Sequence, residues 1–343
     1  MTRILAIETS CDETSAAVVV DGRAVLSNVV SSQMDLHAKY GGVVPEIAAR
    51  AHIEKIGLIV EQALQEAAVT YSDIDAIAVT DGPGLIGSLL IGVTAAKTLA
   101  LTLDKPLVPV DHIEAHATSA ALVCDDDPWP AVSLVVSGGH TSIYHVADYD
   151  HIELMGQTYD DAAGETFDKV AAILDLGFPG GPAVDRVAKA GNPKAIRFPR
   201  TWLNEPHFNF SYSGLKTAVL YHVYGQGKKY GSAAHLSEQE IADVAASFQD
   251  ALIEPLVIKT ARAAAERGVT TICVGGGVAA NSALRAALQS ACDERGLRLL
   301  LTPMKYCTDN AAMIGLLGHQ RFLAGVRADL TLEPRGGLVR TGR

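Results

Sequence analysis

Residues 3–20 read R-I-L-A-I-E-T-S-C-D-E-T-S-A-A-V-V-V. An apolar run (3–9) meets a polar turn (10–14) and a second apolar run (15–20) that stops at Asp21-Gly22. This is the pattern of a β-hairpin. The same grammar returns far along the chain as residues 132–136, the turn Ser137-Gly138-Gly139-His140-Thr141, and residues 142–146. Two such units predict an internal duplication, in an α/β chain of two related lobes whose turns face a shared cleft.

Outward from the first hairpin, residues 45–68 carry Ile47, Ile53, Ile56, Ile59, Val60 and Leu64 at helical spacing, and residues 74–80 read as a buried strand. Residues 81–87 (D-G-P-G-L-I-G) then precede another helix and are formally G-x-G-x-x-G, with Asp111 beyond them. A dinucleotide site is disfavoured, because the strand before these glycines is not the first of a βαβ pair and Asp111 has a nearer use. A tight turn that lets helix and strand pack closely accounts for the glycines.

That nearer use is a helix cap. In Val110-Asp111-His112-Ile113-Glu114-Ala115-His116 an apolar run ends and a helix opens, with Asp111 at its N-cap and Glu114 at the third helical position, as in a capping box. His112 and His116, four apart, share one face, so both imidazoles can reach one point; this is metal-ligand spacing. Glu114 lies roughly 200° around the helix from His112, which excludes the H-E-x-x-H protease arrangement. The spacing alone also fits two ordinary histidines on a polar face.

Composition narrows the class. A chain of 343 residues with 48% hydrophobic content can bury two medium cores. Five cysteines (Cys11, Cys124, Cys273, Cys292, Cys307) show no C-x-x-C spacing and read as reduced thiols. Asp12 and Glu13 follow Cys11 and would raise its pKa, which argues against a nucleophilic thiolate there. No basic and then apolar leader opens the chain, and residues 88–103, the longest apolar stretch, contain Lys97 and read as too short for a bilayer. A cytoplasmic protein without a membrane partner is expected. The formal net charge of -11 disfavours a broad nucleic-acid surface but leaves room for a local patch.

In the second half, residues 160–170 (D-D-A-A-G-E-T-F-D-K-V) and 177–186 (G-F-P-G-G-P-A-V-D-R) place Gly and Pro before helices, where backbone N–H groups can meet an anion or a ligand hydroxyl or the glycines merely punctuate loops. Residues 197–216 interleave Arg197, Arg200 and Lys216 with Phe198, Trp202, Phe208, Phe210 and Tyr212. This suits single-stranded RNA, or equally a loop that buries its own aromatics. Residues 237–267 read as a scaffold helix broken at Pro255. Gly275-Gly276-Gly277-Val278-Ala279-Ala280-Asn281 ends a strand so that backbone can approach a flat ligand such as adenine, with Asn281 at the next helix start to hydrogen-bond it. Last, Thr308 or Asp309 is expected to cap a final helix, and a capping carboxylate there can supply a third metal ligand.

Taken together, Glu8-Thr9-Ser10-Cys11-Asp12-Glu13-Thr14, His112-Ile113-Glu114-Ala115-His116, Ser137-Gly138-Gly139-His140-Thr141, Phe210-Ser211-Tyr212-Ser213-Gly214-Leu215-Lys216-Thr217, Gly275 to Asn281 and Thr308-Asp309-Asn310 closely resemble the TsaD family. These are the tRNA N6-adenosine threonylcarbamoyltransferases, once named glycoproteases. The resemblance covers roughly residues 3–325 in the family's order, and six motifs together are specific.

The resemblance implies an actin-like ATPase fold of two duplicated lobes with a cleft between them. We assign residues 1–108 to the first lobe, 109–308 to a second lobe with the metal and substrate site, a helix at about 309–325 packing back on the first lobe, and 326–343 to a tail. It further implies that His112, His116 and Asp309 bind a divalent metal of the Fe2+ type, with Zn2+ and Mn2+ as alternatives, and that Val135, Val136, Ser137, Gly138, Gly139, Asp168, Gly181, Asp185 and Asn281 bind the activated substrate. The implied reaction moves threonylcarbamoyl from threonylcarbamoyl-AMP to N6 of the adenosine 3′ of the anticodon, in tRNAs reading codons that begin with A. Asp12 or Glu13, at the first hairpin turn, would deprotonate or orient that nitrogen. The implied partners are tRNA, an inactive TsaB-type paralogue and a TsaE-type small ATPase. The tail arginines Arg335, Arg340 and Arg343 are further candidates for RNA contact. An ATP-dependent small-molecule kinase or actin-like ATPase of the same fold is the alternative, and two imidazoles argue against it because such enzymes carry Mg on phosphates.

Overall fold

The computed structural model describes residues 1–40, 42–226 and 231–337 and divides into two compact units. One comprises Met1–Asp127 with the segment from Thr308 onward, the other Pro128–Cys307.

In the first unit β1 (Arg3–Glu8), β2 (Glu13–Val20) and β3 (Ala24–Ser32) form an antiparallel meander. The short α1 (Met34–Ala38) and long α2 (Pro45–Glu66) lead to β4 (Ala76–Gly82), α3 (Ile86–Leu103), β5 (Leu107–Asp111) and α4 (His112–Thr118). The sheet order is β3-β2-β1-β4-β5, with β4 parallel to both β1 and β5. β1 is central and covered on both faces, which is why it reads as a continuous apolar run. Leu5, Ile7, Val18, Ile77 and Val79 pack against Ile59, Val60 and Ala63 of α2 and Val93 and Ala96 of α3.

The second unit repeats this plan. β6 (Ala131–Val136), β7 (Thr141–Val146) and β8 (Ile152–Gln157) form the meander. α5 (Ala163–Ile173), α6 (Gly180–Ala188), α7 (Ser213–Tyr224) and α8 (Glu238–Arg267) follow, then β9 (Thr271–Gly275), α9 (Ser282–Arg295), β10 (Arg298–Leu301) and α10 (Met304–Cys307). The order β8-β7-β6-β9-β10, with parallel β6/β9 and β9/β10 pairs, is the first sheet's topology again. Both hairpins read from the sequence are present, and β3 and β8 extend each by a strand that the reading missed.

The chain returns to the first unit as α11 (Ala311–Leu323), which packs on β1, β2, β4 and α4. Gly315 and Gly318 permit this approach, since a Cβ on either would lie 2.5 Å from a side-chain atom of Val19 or Ala78. The division at 108/109 read from the sequence assigned residues 109–111 and the histidine helix to the second lobe. They belong to the first unit, because β5 continues the parallel sheet through Asp111 and α4 packs against α11.

Two further expectations change. α8 runs unbroken through Pro255, whose neighbours Ala251, Leu252, Ile253, Leu256 and Val257 are all buried and hold the helix despite its lost hydrogen bond. α3, at 18 residues, is by length and composition able to cross a membrane, but Leu89, Val93 and Ala96 seat it in the first unit's core.

Candidate metal centre and ligand pocket

β5 delivers Asp111 to the start of α4, where its Oδ1 accepts from the backbone N–H of Ile113 (3.0 Å) and Glu114 (3.2 Å). The reciprocal half of the expected capping box is absent, because Glu114 turns away to pair with Arg321. His112 and His116 follow one turn apart, both buried, with their rings edge to face at 4.7 Å. Asp309 arrives from the other end of the chain. It is not the helix cap that the sequence suggested: Asn310 caps α11, its Oδ1 accepting from the Met313 N–H at 3.2 Å.

Asp309 Oδ1 lies 3.0 Å from His116 Nε2 and 3.6 Å from His112 Nε2. One ligand atom from each of the three residues falls within 4.8 Å of the other two. Two ligands about 2.1 Å from a tetrahedral ion sit roughly 3.4 Å apart, so the spacing fits one metal ion. Two imidazoles and a carboxylate suit a first-row transition metal.

Behind the histidines, Glu8 at the end of β1 is fully buried. Its Oε2 accepts from Thr80 Oγ1 at 2.5 Å and lies 3.1 Å from His112 Nδ1, while Oε1 accepts from the Ser10 N–H at 2.5 Å. An ionised carboxylate only accepts, so Nδ1 of His112 carries the proton and Nε2 is directed to the metal position. Burial raises the Glu8 carboxyl, but the neighbouring His112 outweighs it and holds the group below its ordinary range. For His112 burial acts downward, and the attraction of Glu8 and Asp309 overrides it to push the imidazole up to about 9.

The expected catalytic pair stands beside this centre. Burial, then Asp309 and Asp12, push Glu13 up to about 9, and its Oε1 accepts from Ser32 Oγ at 3.2 Å. Burial, with Asp12 and Asp309, also pushes the Cys11 thiol well up, as expected for an inert cysteine. Glu13, raised by two neighbouring carboxylates, is the electrostatic counterpart of a cation site. His52, unremarked in the sequence, braces the turn: Nε2 lies 3.0 Å from the Cys11 carbonyl and Nδ1 2.7 Å from Thr14 Oγ1.

In the second unit a pocket of about 410 Å³ gathers Gly138, Asp168, Gly181, Asp185 and Asn281. Val135 and Val136 are fully buried in β6, and Ser137 and Gly139 do not line the pocket. Asp168 Oδ1 accepts from the Gly180 N–H at 2.7 Å, and burial raises its carboxyl. Asp185 accepts from Ser282 Oγ at 2.8 Å. Asn281 caps α9 through Oδ1 (Leu284 N–H, 3.0 Å) and donates from Nδ2 to Gln249 at 2.7 Å, which fixes the orientation of its side chain at the pocket wall.

The alternating stretch 197–216 resolves mostly into the buried-loop reading. Phe198, Phe208, Phe210 and Tyr212 join the core, Arg200 pairs with Asp250 and Glu254, and Lys216 pairs with Asp161. Of the tail arginines, Arg335 is engaged on Asp81 (2.9 Å) and Asp111 (3.3 Å), and Arg340 and Arg343 lie outside the described residues.

Comparison with known proteins completes the picture. HypF from T. kodakarensis superposes with a TM-score of 0.63 at 15% identity, over 96% of this chain and 49% of that one. The (R)-2-hydroxyglutaryl-CoA dehydratase component A of Acidaminococcus fermentans gives 0.53 at 14% identity, over 94% and 99%. These likenesses establish the actin-like ATPase fold and no more. In sequence, the chain is 52% identical over 335 residues to the tRNA N6-adenosine threonylcarbamoyltransferase of Symbiobacterium thermophilum, covering 98% of this chain and 96% of that protein. It is 49% identical over 341 residues to the enzyme of that name from Bacillus subtilis, with coverage of 98% and 96%. With residues 24–316 also matching the family model "TsaD: tRNA N6-adenosine threonylcarbamoyltransferase", the chain belongs to the TsaD family and is a tRNA-modifying acyltransferase.

Proposed function

We propose that this chain transfers the threonylcarbamoyl group of threonylcarbamoyl-AMP to N6 of the adenosine 3′ of the anticodon, in tRNAs reading codons that begin with A. The observation that carries the reading is the triad of buried His112 and His116 with half-buried Asp309 in a chain about half identical to named transferases. In the transfer, N6 attacks the carbamoyl carbon and the bond from that carbon to the phosphate oxygen breaks. AMP leaves with the electron pair, and the N6 proton passes to a carboxylate.

A divalent ion, Fe2+ in our reading, would be held by His112, His116 and Asp309 and would supply Lewis-acid stabilisation of the charge developing on oxygen. Asp12 or Glu13 takes or orients the N6 proton, Glu13 serving as a base only where a bound cation brings its raised carboxyl down. Gly138, Asp168, Gly181, Asp185 and Asn281 hold the adenylate, the two carboxylates being suited to accept from ribose hydroxyls. Val135, Val136, Ser137 and Gly139 place the Gly138 turn by holding β6 and its end. The work is done in the cytoplasm with a TsaB-type paralogue and a TsaE-type ATPase. The exposed apolar side chains of α3, Ile86, Leu90 and Leu101, offer such a partner a surface.

The test is to deplete the chain in its host and measure threonylcarbamoyladenosine in bulk tRNA by nucleoside mass spectrometry, with rescue by the parent and by His112→Ala. Loss of the nucleoside, restored by the parent alone, is expected. A level unchanged by depletion, or full rescue by His112→Ala, counts against the reading.

A further inference from the structure

An acidic enzyme that modifies RNA must still hold a polyanion, and one stretch of the second unit stands apart from the chain's charge. Residues 186–200 read R-V-A-K-A-G-N-P-K-A-I-R-F-P-R, with cations Arg186, Lys189, Lys194, Arg197 and Arg200 and no acid, in a chain of net charge -11. Clustering of cations against an opposite overall charge marks an electrostatic footprint.

The stretch joins two concavities of the same unit. Arg186 and Lys189, at the end of α6, line the pocket of about 410 Å³ that holds Asp168 and Asp185. Lys194, Arg197 and Arg200 line a second pocket of about 600 Å³, walled also by Ile196, Pro199 and Leu203. Lys194 lies five positions beyond Lys189, which limits their separation to at most about 18 Å, a distance that a few nucleotides bridge.

The cations fall into two kinds. Lys194 and Arg200 are spent on Asp250 and Glu254, and Lys189 approaches Asp185. Arg186 and Arg197 are exposed and make no ion pair or hydrogen bond among the described residues. Two unpaired guanidinium groups, one at each pocket, are placed to meet phosphates as forked donors. Tyr159 is 67% exposed and packs edge to face at 5.7 Å on Trp202, the residue before Leu203 of the second pocket. An exposed ring together with a run of cations is what single-stranded nucleic acid uses, bases stacking while phosphates pair.

We propose that residues 186–200 form a track for the RNA strand, with Arg186 and Arg197 pairing its phosphates at the two pockets and Tyr159 offering a face to a base. This rests on the tRNA-transferase reading and adds to it where the strand lies.

The experiment measures binding of a synthetic anticodon stem-loop RNA to the full-length chain at several salt concentrations, for the parent, an Arg186→Ala/Arg197→Ala double variant, an Arg186→Lys/Arg197→Lys variant, and an Arg295→Ala control. The alanine double variant should bind at least about tenfold more weakly and lose roughly 1.4–1.8 from its log–log salt slope, two phosphate contacts' worth. The lysine variant should keep the slope, and the control should match the parent. Alanine variants that bind with the parent's affinity and slope overturn the track, as does weakened binding of a protein partner with RNA binding intact. Threonylcarbamoyl transfer by the parent, assayed alongside with its partner proteins, separates the two readings: a transferring parent with indifferent double variant sinks only the track.

Discussion

Glu8 Oε2 lies 3.1 Å from His112 Nδ1, so a residue at the end of the first strand orients a histidine that follows the fifth. Glu8 is fully buried and also takes hydrogen bonds from Thr80 and Ser10. Replacing it by Gln keeps the shape but removes the charge that fixes the imidazole. Glu8→Gln is expected to weaken divalent-metal affinity by about 10–100-fold. Titration with Co2+, followed by its visible absorption, reads this without relying on turnover, and unchanged affinity would refute the role.

The elevated pKa of His112, about 9, gives metal uptake a pH dependence of definite sign. Below that value the metal-free imidazole is protonated, and an ion must displace the proton. Affinity should therefore rise with pH towards about 9, with at least about one proton released per ion near pH 7.5. Calorimetry in buffers of different ionisation enthalpy counts that proton, and a release near zero contradicts the assignment.

Lys259 of α8 is fully buried, donates to the Asn209 carbonyl and sits 5.3 Å above the Phe210 ring. Burial, then Arg262, lowers its pKa from the ordinary 10.5 to about 8. Between those values the unfolded chain binds more protons than the folded one, so stability rises with pH over that window. The rise should be about 1–2 kcal/mol, less than the full shift implies because Arg262 and Glu205 reach solvent. Urea melts across pH 7.5–10.5 should show it in the parent and not in Lys259→Met.

Gly84 is required by a close approach rather than by its backbone angles. A Cβ there would lie 2.4 Å from the Ser10 carbonyl oxygen, which accepts from the Leu85 N–H at 2.8 Å. Gly84→Ala is expected to cost about 1–3 kcal/mol in urea unfolding. Because Ser10 Oγ lies 3.2 Å from His112 Nδ1, the variant should also bind Co2+ more weakly, and a normal melt with normal affinity would exclude the contact as important.

The duplicated plan was legible because it rests on local pattern: each hairpin announces itself by two apolar runs around a small polar turn. The histidine pair was legible for a similar reason, since helical spacing is local. Residues whose meaning depends on remote partners were not. Glu8 was read only as part of the apolar run 3–9, although an acid ending a wholly buried run needs a partner, and that is the signal a closer reading would use. Arg335 looked like a free tail cation until Asp81 and Asp111 appeared beside it. Arg200 and Lys216 looked available for phosphate because the acids that neutralise them lie up to 55 positions away. Strands β3 and β8 are partly exposed and short of clean alternation, which hid them.

Asp309 stands 193 positions beyond His116. During synthesis from the N-terminus, the histidines leave the ribosome long before their acidic companion, and the second unit, one unbroken segment, is finished in between. β1 to β5 meanwhile lack α11, the helix that covers β1, β2 and β4. A nascent chain released before residue 309 therefore carries two histidines without the carboxylate, so the three-residue cluster exists only in chains whose translation has passed Asp309.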